Sequence, residues 1–310
     1  MRHLPALGSL VAVCAVLAAL PFLLSAYHVA LAAQVGIFFI AVLGLNILTG
    51  YTGQISIGHG AFMAIGGYTT AVLSRDHHTN LVLTMVAAFA ICFLFGVLVG
   101  LPALRLSGVY LALATFALAI SVPQLPLKWS NFLGGRDGVQ TATVPSHLWL
   151  YGAAWTASAI LFVLAWLILR GRVGRAFRAV RDSEIAAVAS GVELPLYKTL
   201  AFGISAAYAG VAGSLFVLAT NGFAAPDEFA VVLSLELLIG AAVAGLGSLW
   251  GILAGAAFIG LLPTVSSSVP VIGSAHGQDV VFGAAVVLVM LLIPDGFAGL
   301  VARVQRLGRA

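Results

Sequence analysis

Apolar runs of membrane-spanning length, separated by short polar turns, fill almost the whole chain. An α-helix needs about 20 apolar residues to cross the hydrocarbon core. By that measure the pattern predicts ten spans, at about 1–26, 28–48, 50–74, 80–101, 107–127, 148–169, 199–220, 229–244, 249–265 and 279–293. The first run begins like a signal peptide, with Arg2 ahead of it and Ser25 and Ala26 at its end. Its full span length and the spans behind it favour an uncleaved helix. The third run is crowded with Gly50, Gly53, Gly58, Gly60, Gly66 and Gly67. Glycine at that density weakens a regular helix and permits an unwound segment. The third, eighth and ninth runs are short or glycine-rich, so eight to ten spans are expected, the lower number if some are re-entrant.

The longest polar interruption between spans is 170–198, RGRVGRAFRAVRDSEIAAVASGVELPLYK. Its apolar positions Ile185, Ala186, Val188, Ala189 and Val192 recur at roughly helical spacing, with Gly191 near the end and Pro195 beyond. That predicts one short helix over 180–192 with a stop signal. A small-faced helix between basic flanks suits docking of a cytoplasmic partner; an ordinary solvated loop fits the composition equally. A second polar stretch, 128–147, holds the turn GGRDG at 134–138, where Arg136 and Asp137 can pair.

Charge fixes an orientation for these spans. Basic residues next to spans stay cytoplasmic. With ten spans and both termini cytoplasmic, 11 of the 14 basic residues fall inside, and only Arg75, Lys128 and Arg136 fall outside. Composition agrees, with 62% hydrophobic residues, 8% charged and a mean hydropathy of +1.12. A soluble domain is about a quarter charged, so residues 1–310 read as one transmembrane domain with 170–198 as a loop within it. The bases sit at span ends without aromatic platforms, which argues against nucleic acid and for lipid as the surrounding medium. Cys14 and Cys92 both lie in apolar runs and read as buried packing residues.

Five spans precede residue 148 and five follow it, so a structural repeat between the halves would be inverted. The third element of each half carries glycines: 50–68 in the first, and Gly240, Gly245, Gly247 and Gly251 in the second. Glycine-interrupted segments at matching places point to a transport path near the midplane. Gln54, Ser56, Gly58, His59 and Gly60 are its candidate lining, with Glu236 the one acid well inside a predicted span. Close helix packing explains the same glycines, and a hydrogen-bonded structural carboxylate explains Glu236.

Enzyme readings find little support. No G-x-x-x-x-G-K-[ST] loop or H-E-x-x-H motif occurs, and the only lysines are Lys128 and Lys198. His77 and His78 form a turn pair without a third metal-ligand type except Asp76. Ser56 and His59 lie three apart without a nearby acid to orient the imidazole. No cofactor is expected on this chain.

The stretches LNILTGYTGQISIGHGAFMAIGGY at 45–68, LRLSGVYLALATFA at 104–117, GGRDG, GRAFRAVRDSEIAAVASGVELPLYKTLAFGISAAYAGVAGSLF at 174–216 and IPDGFAGL at 293–300 run in order through nearly the whole chain. In these the chain resembles the LivM-like permease subunits of branched-chain amino-acid ABC importers. The resemblance implies a transport subunit without its own ATP site in the bacterial inner membrane. Its partners would be a second, LivH-like permease subunit, two cytoplasmic ATPase subunits of the LivG/LivF kind that use the ATP, and a periplasmic substrate-binding protein. It also implies that 184–191 is the coupling helix, with Arg175, Arg178, Arg181, Glu184, Ile185, Ala186, Ala187 and Gly191 as the ATPase-coupling set. One departure stands out. The general importer motif begins Glu-Ala-Ala with glycine four residues on, whereas Ile185 holds the Glu place here and Glu184 lies one position early. Relatives of this kind handle branched-chain and other amino acids, amides and urea. The alternative from the residues alone is a self-sufficient secondary transporter or channel, which would need coupling carboxylates; Glu236 is the one that qualifies.

Overall fold

The computed structural model describes residues 25–267 continuously, together with Pro21 and separate positions between 283 and 299. The first expected span, much of the tenth and most of the C-terminal motif lie outside the described residues.

Helix α1 (Ala26–Leu45) passes without a break into a π-helical turn, Asn46–Tyr51. Thr52 ends it by donating to the Leu48 carbonyl at 2.6 Å. Gly53 then takes φ +71°, a region where glycine has no Cβ penalty. The chain stays non-helical until α2 (His59–His77) begins. The expected irregular third span is therefore an unwound approach followed by a regular helix.

Asn80 caps α3 (Leu81–Ala103), accepting from the Val82 amide at 2.9 Å. α4 (Val109–Ser121) follows the turn at Gly108 and continues through a 3-10 turn, Val122–Gln124, into α5 (Leu125–Lys128). The polar stretch beyond it folds as α6 (Ser130–Leu133), a 3-10 turn (Gly135–Asp137) and β1 (Val139–Gln140). α7 (His147–Arg170) is capped by Ser146.

The loop 170–198 departs from expectation. In place of one helix over 180–192 there are two, α8 (Arg172–Asp182) and α9 (Glu184–Ala189). Ser183, in extended conformation at φ −164° and ψ 116°, breaks them. Its hydroxyl accepts the Ala186 amide at 3.3 Å and starts α9 as an N-cap. The apolar spacing ran unbroken across a residue whose side chain prefers the cap. Pro195 is likewise not a terminator; it sits in the first turn of α10 (Leu194–Ala219), where its missing amide proton costs no hydrogen bond. α10 thus starts five residues before the expected Thr199.

β2 (Phe223–Ala224) pairs antiparallel with β1, Val139 opposite Ala224. A 3-10 turn, Pro226–Phe229, leads into α11 (Val231–Ala244), and a glycine turn joins it to α12 (Ile252–Ser267). Among the described residues five helical stretches are long and apolar enough to span a membrane: Ala26–Tyr51, Leu81–Ala103, Val109–Lys128, His147–Arg170 and Leu194–Ala219.

α10 and α1 form the centre. Tyr208 and Phe202 of α10 are fully buried, and the Tyr208 hydroxyl donates to the Leu161 carbonyl of α7 at 2.8 Å. Trp155 and Ser158 of α7 donate to the Ala32 and Gly36 carbonyls of α1 at 3.1 and 3.0 Å. Such bonds fix helix neighbours where apolar burial alone gives little direction in lipid. Cys92 is buried as expected, its thiol 3.4 Å from the Phe62 carbonyl.

Contacts sort the turns into two ends. At one, Arg75 donates to the Phe132 carbonyl, Ser74 accepts the Ala142 amide and β1 pairs with β2. At the other, residues near 50, 107, 181, 198 and 247 meet. These are the two groups that the alternation of spans places on opposite sides.

Candidate functional site

α8 is amphipathic. Its buried residues Gly174, Ala176, Phe177 and Val180 share one face, and Phe177 stacks edge-on against Tyr197 of α10 with ring centroids 6.4 Å apart. Arg175 is exposed, while Arg178 is half-buried, and the Arg178 and Arg181 charges reach the Tyr51 phenol. α8 therefore lies on the body and presents cations both outward and toward the end of α1.

α9 turns two faces in different directions. Ala187 is 1% exposed and packs onto the body, whereas Ile185 is 86% and Val188 55% exposed. The expected coupling residues thus divide. Ala187 seats the helix, and Ile185, with exposed Ala186 beside it, forms the outward surface. Gly191 takes φ +82° with open space about the position of a Cβ, so it terminates α9 through its backbone. Glu184 gains a role the sequence left open. Its carboxylate pairs with the Lys198 ammonium at 2.6 Å, and the Lys198 side chain is only 6% exposed. A buried cation needs such a partner, and the pair pins the start of α9 to the N-terminal part of α10. As an acid in the first turn of α9, Glu184 also suits the helix dipole.

Most of the glycine-rich segment is buried, with Gly53 and Ile55 exposed. The Ile57 amide donates to Thr115 of α4 at 3.0 Å and the Gly60 amide to Ser234 of α11 at 2.9 Å. His59, fully buried at the start of α2, has Nε2 3.4 Å from the Ser205 hydroxyl of α10. Its Nδ1 has no hydrogen-bond partner among the described residues. Ser56 is buried and accepts the Gly58 amide at 3.3 Å. Ser56, Gly58, His59 and Gly60 are thus brought together with Thr115, Ser205 and Ser234, three hydroxyls the sequence reading passed over. Their signal was available as isolated polar residues within apolar spans.

Gly58 and Gly60 also lie at close contacts. A Cβ at Gly58 would sit 2.9 Å from the Thr115 carbonyl oxygen, and one at Gly60 2.6 Å from the Ser234 hydroxyl. Gln54 belongs elsewhere. It borders a small cavity of about 140 Å³ together with Arg181, Glu184 and Lys198. Glu236 is half-buried on α11, two residues beyond Ser234.

The two glycine-rich segments of the halves touch. Asn46 accepts the Gly247 amide at 2.8 Å and donates to the Ser248 carbonyl at 2.7 Å. A Cβ at Gly50 would collide with the Gly247 backbone, so the π-turn and the α11–α12 turn are in direct contact.

The family model described as branched-chain amino acid transport system / permease component matches residues 27–292. The chain is 31% identical over 281 residues to the high-affinity branched-chain amino acid transport system permease protein LivM of Salmonella typhimurium, covering 81% of this chain and 66% of that protein. To LivM of Escherichia coli it is 30% identical over 321 residues, covering 93% of this chain and 73% of the relative. To the permease protein LivH of Salmonella typhimurium it is 25% identical over 284 residues, covering 83% and 89%. No solved structure gives a significant match. With the family match running from the first residues of α1 to beyond α12, the chain belongs to the permease components of branched-chain amino acid transport systems.

Proposed function

We propose that this permease component forms half of the membrane pore of an ABC importer and moves branched-chain amino acids, or closely related small amino acids and amides. A periplasmic binding protein delivers the substrate, a LivH-like subunit supplies the other half of the pore, and two separate ATPase subunits drive it. The observation that carries this reading is the outward apolar face of α9. Ile185 and Val188 are presented to solvent on a basic loop at the end of the molecule opposite the β1–β2 pair. Exposed aliphatic side chains set among arginines outside the bilayer suit a protein partner. The similarity to both LivM and LivH relatives supports a paired permease.

The reading carries a topology of ten spans with both termini cytoplasmic in the bacterial inner membrane. The sorting of turns into two ends supports the alternation of the described helices. The same reading puts the substrate path beside Ser56, His59 and Glu236, where buried hydroxyls of α4, α10 and α11 converge on the start of α2. Gln54 sits at its cytoplasmic mouth, and Gly58 and Gly60 let the neighbouring helices approach. A few hydrogen-bonding groups that do not hold the solute tightly suit conduction.

The alternative of a self-sufficient secondary transporter draws on Glu236. Co-purification separates the two readings. The wild-type chain is expected to retain the ATPase subunits, and Ile185→Asp is expected to release them while the permease pair stays intact. Retention in Ile185→Asp, or no ATPase with wild type, contradicts the proposal.

A further inference from the structure

We propose that Arg181 is a positioning residue that transmits displacement of α9 to the cytoplasmic mouth, by latching the end of α1 and the α11–α12 turn to the end of α8. The proposal rests on the reading of α9 as the ATPase-docking helix and goes beyond it by naming the link.

Arg181 lies one residue from the end of α8, and Ser183 alone separates Asp182 from Glu184 at the start of α9. No slack exists between the docking helix and this side chain. Its Nη1 donates to the Gly50 carbonyl at 3.1 Å. Gly50 is near the C-terminal end of the π-turn, where carbonyls lack the next turn's amides and the helix dipole is negative. A cation meets both needs. Nη1 also lies 2.9 Å from the position of a Cβ on Gly247, and Arg181 Cγ lies 3.1 Å from that position on Gly53. Backbone without side chains therefore lies against the guanidinium at Gly247 and against the aliphatic stem at Gly53, so both segments approach the side chain closely.

The mouth itself is stitched independently of Arg181, through the two bonds from Asn46 to Gly247 and Ser248. α1 and the α11–α12 turn therefore move as a unit, and Arg181 is the side-chain bond from that unit to α8. The planar guanidinium also donates through Nε to Asp182 at 3.2 Å. A forked donor can keep one bond while the other breaks. The neighbouring cavity of about 140 Å³ leaves room for the side chain to shift. Since Arg181 remains more than a third exposed, the fold does not depend on burying it.

The test uses the assembled importer in membranes, with the chain lacking Cys14 and Cys92 and carrying Ser248→Cys. That serine offers its backbone carbonyl to Asn46, so its replacement leaves the bond in place. Thiol labelling from the cytoplasmic side is measured with and without ATP and vanadate. Trapping is expected to change the labelling rate, and Arg181→Ala to reduce that change roughly tenfold, the effect of losing one charge-assisted hydrogen bond. Arg181→Lys keeps the charge without the fork and is expected to fall between. An unchanged response in Arg181→Ala, or no response in the parent, overturns the proposal. If Arg181→Ala fails to assemble, Arg181→Lys is read in its place: a reduced response supports the latch and a full one overturns it. Ile185→Asp keeps the two questions apart, because retained ATPase subunits in that variant count against the docking reading and not against Arg181.

Discussion

Replacing Gly66 by alanine tests how closely α2 and α10 cross. A Cβ there would overlap the Gly210 carbonyl oxygen and lie 2.6 Å from its carbonyl carbon. These are backbone atoms, which cannot rotate aside. Restoring ordinary contact requires the helices to part by roughly 1 Å. Gly210 has no slack on its other side either, since its own Cβ position is 2.6 Å from Cys92 Sγ and 2.8 Å from the Ala88 carbonyl oxygen of α3. Overpacking costs about 1–3 kcal/mol, and alanine returns about 1 kcal/mol of helix propensity. With backbone on one side and α3 on the other, a net loss of about 2 kcal/mol is expected. Gly152 supplies the control. It is exposed on α7 with nothing within 4 Å of a Cβ, so Gly152→Ala should be neutral or slightly stabilising. The assay is the amount and thermal midpoint of detergent-solubilised complex followed by size-exclusion chromatography. Gly66→Ala is expected to lower both by a clear margin and Gly152→Ala neither. Equal midpoints for the two variants would refute the close crossing.

Glu184→Ala should loosen α9 and lower recovery of the ATPase-bound complex, by about 1–3 kcal/mol for a pair buried on one side, and adding Lys198→Met should restore part of it. Full stability in Glu184→Ala alone would show that the pair does not seat the helix. Gly60→Val should reduce the amount of complex because it pushes Ser234 and α11 away; an abundant but transport-poor complex would instead place Gly60 on the path wall. Single cysteines at Arg136 and Arg175, without Cys14 and Cys92, should react with an impermeant thiol reagent from opposite sides, and labelling from one side only contradicts the span alternation.

Three span positions among the described residues were readable closely, because membrane helices announce themselves by length and hydropathy alone. The helices at Ala26–Leu45, Leu81–Ala103 and His147–Arg170 begin and end within about three residues of the sequence expectation. The loop was less legible for a local reason. Apolar spacing across 180–192 looked continuous, yet Ser183 satisfies the amide of Ala186 and turns the chain between two helices. Which residue of α9 faces outward could not be read either, because Ala187 and Ile185 are both apolar and only the seat on α8 and α10 distinguishes them. The partners of the glycine segment were hidden for a different reason. Thr115, Ser205 and Ser234 lie on three helices far apart in sequence, and nothing local marks them as neighbours of residues 57–60. The same holds for Arg181. A loop arginine obeying the charge rule looks like any other until Gly50 and Gly247 are brought beside it.

ATP-dependent uptake by the reconstituted complex tests the central claim most directly. Proteoliposomes containing this chain together with the proposed partners, a second permease subunit, two ATPases and a binding protein, would be supplied with labelled leucine, isoleucine or valine. The account predicts accumulation that requires internal ATP and the binding protein and that collapses in Ile185→Asp. Uptake by this chain without ATPases, driven by an ion gradient and lost on Glu236→Gln, would contradict it.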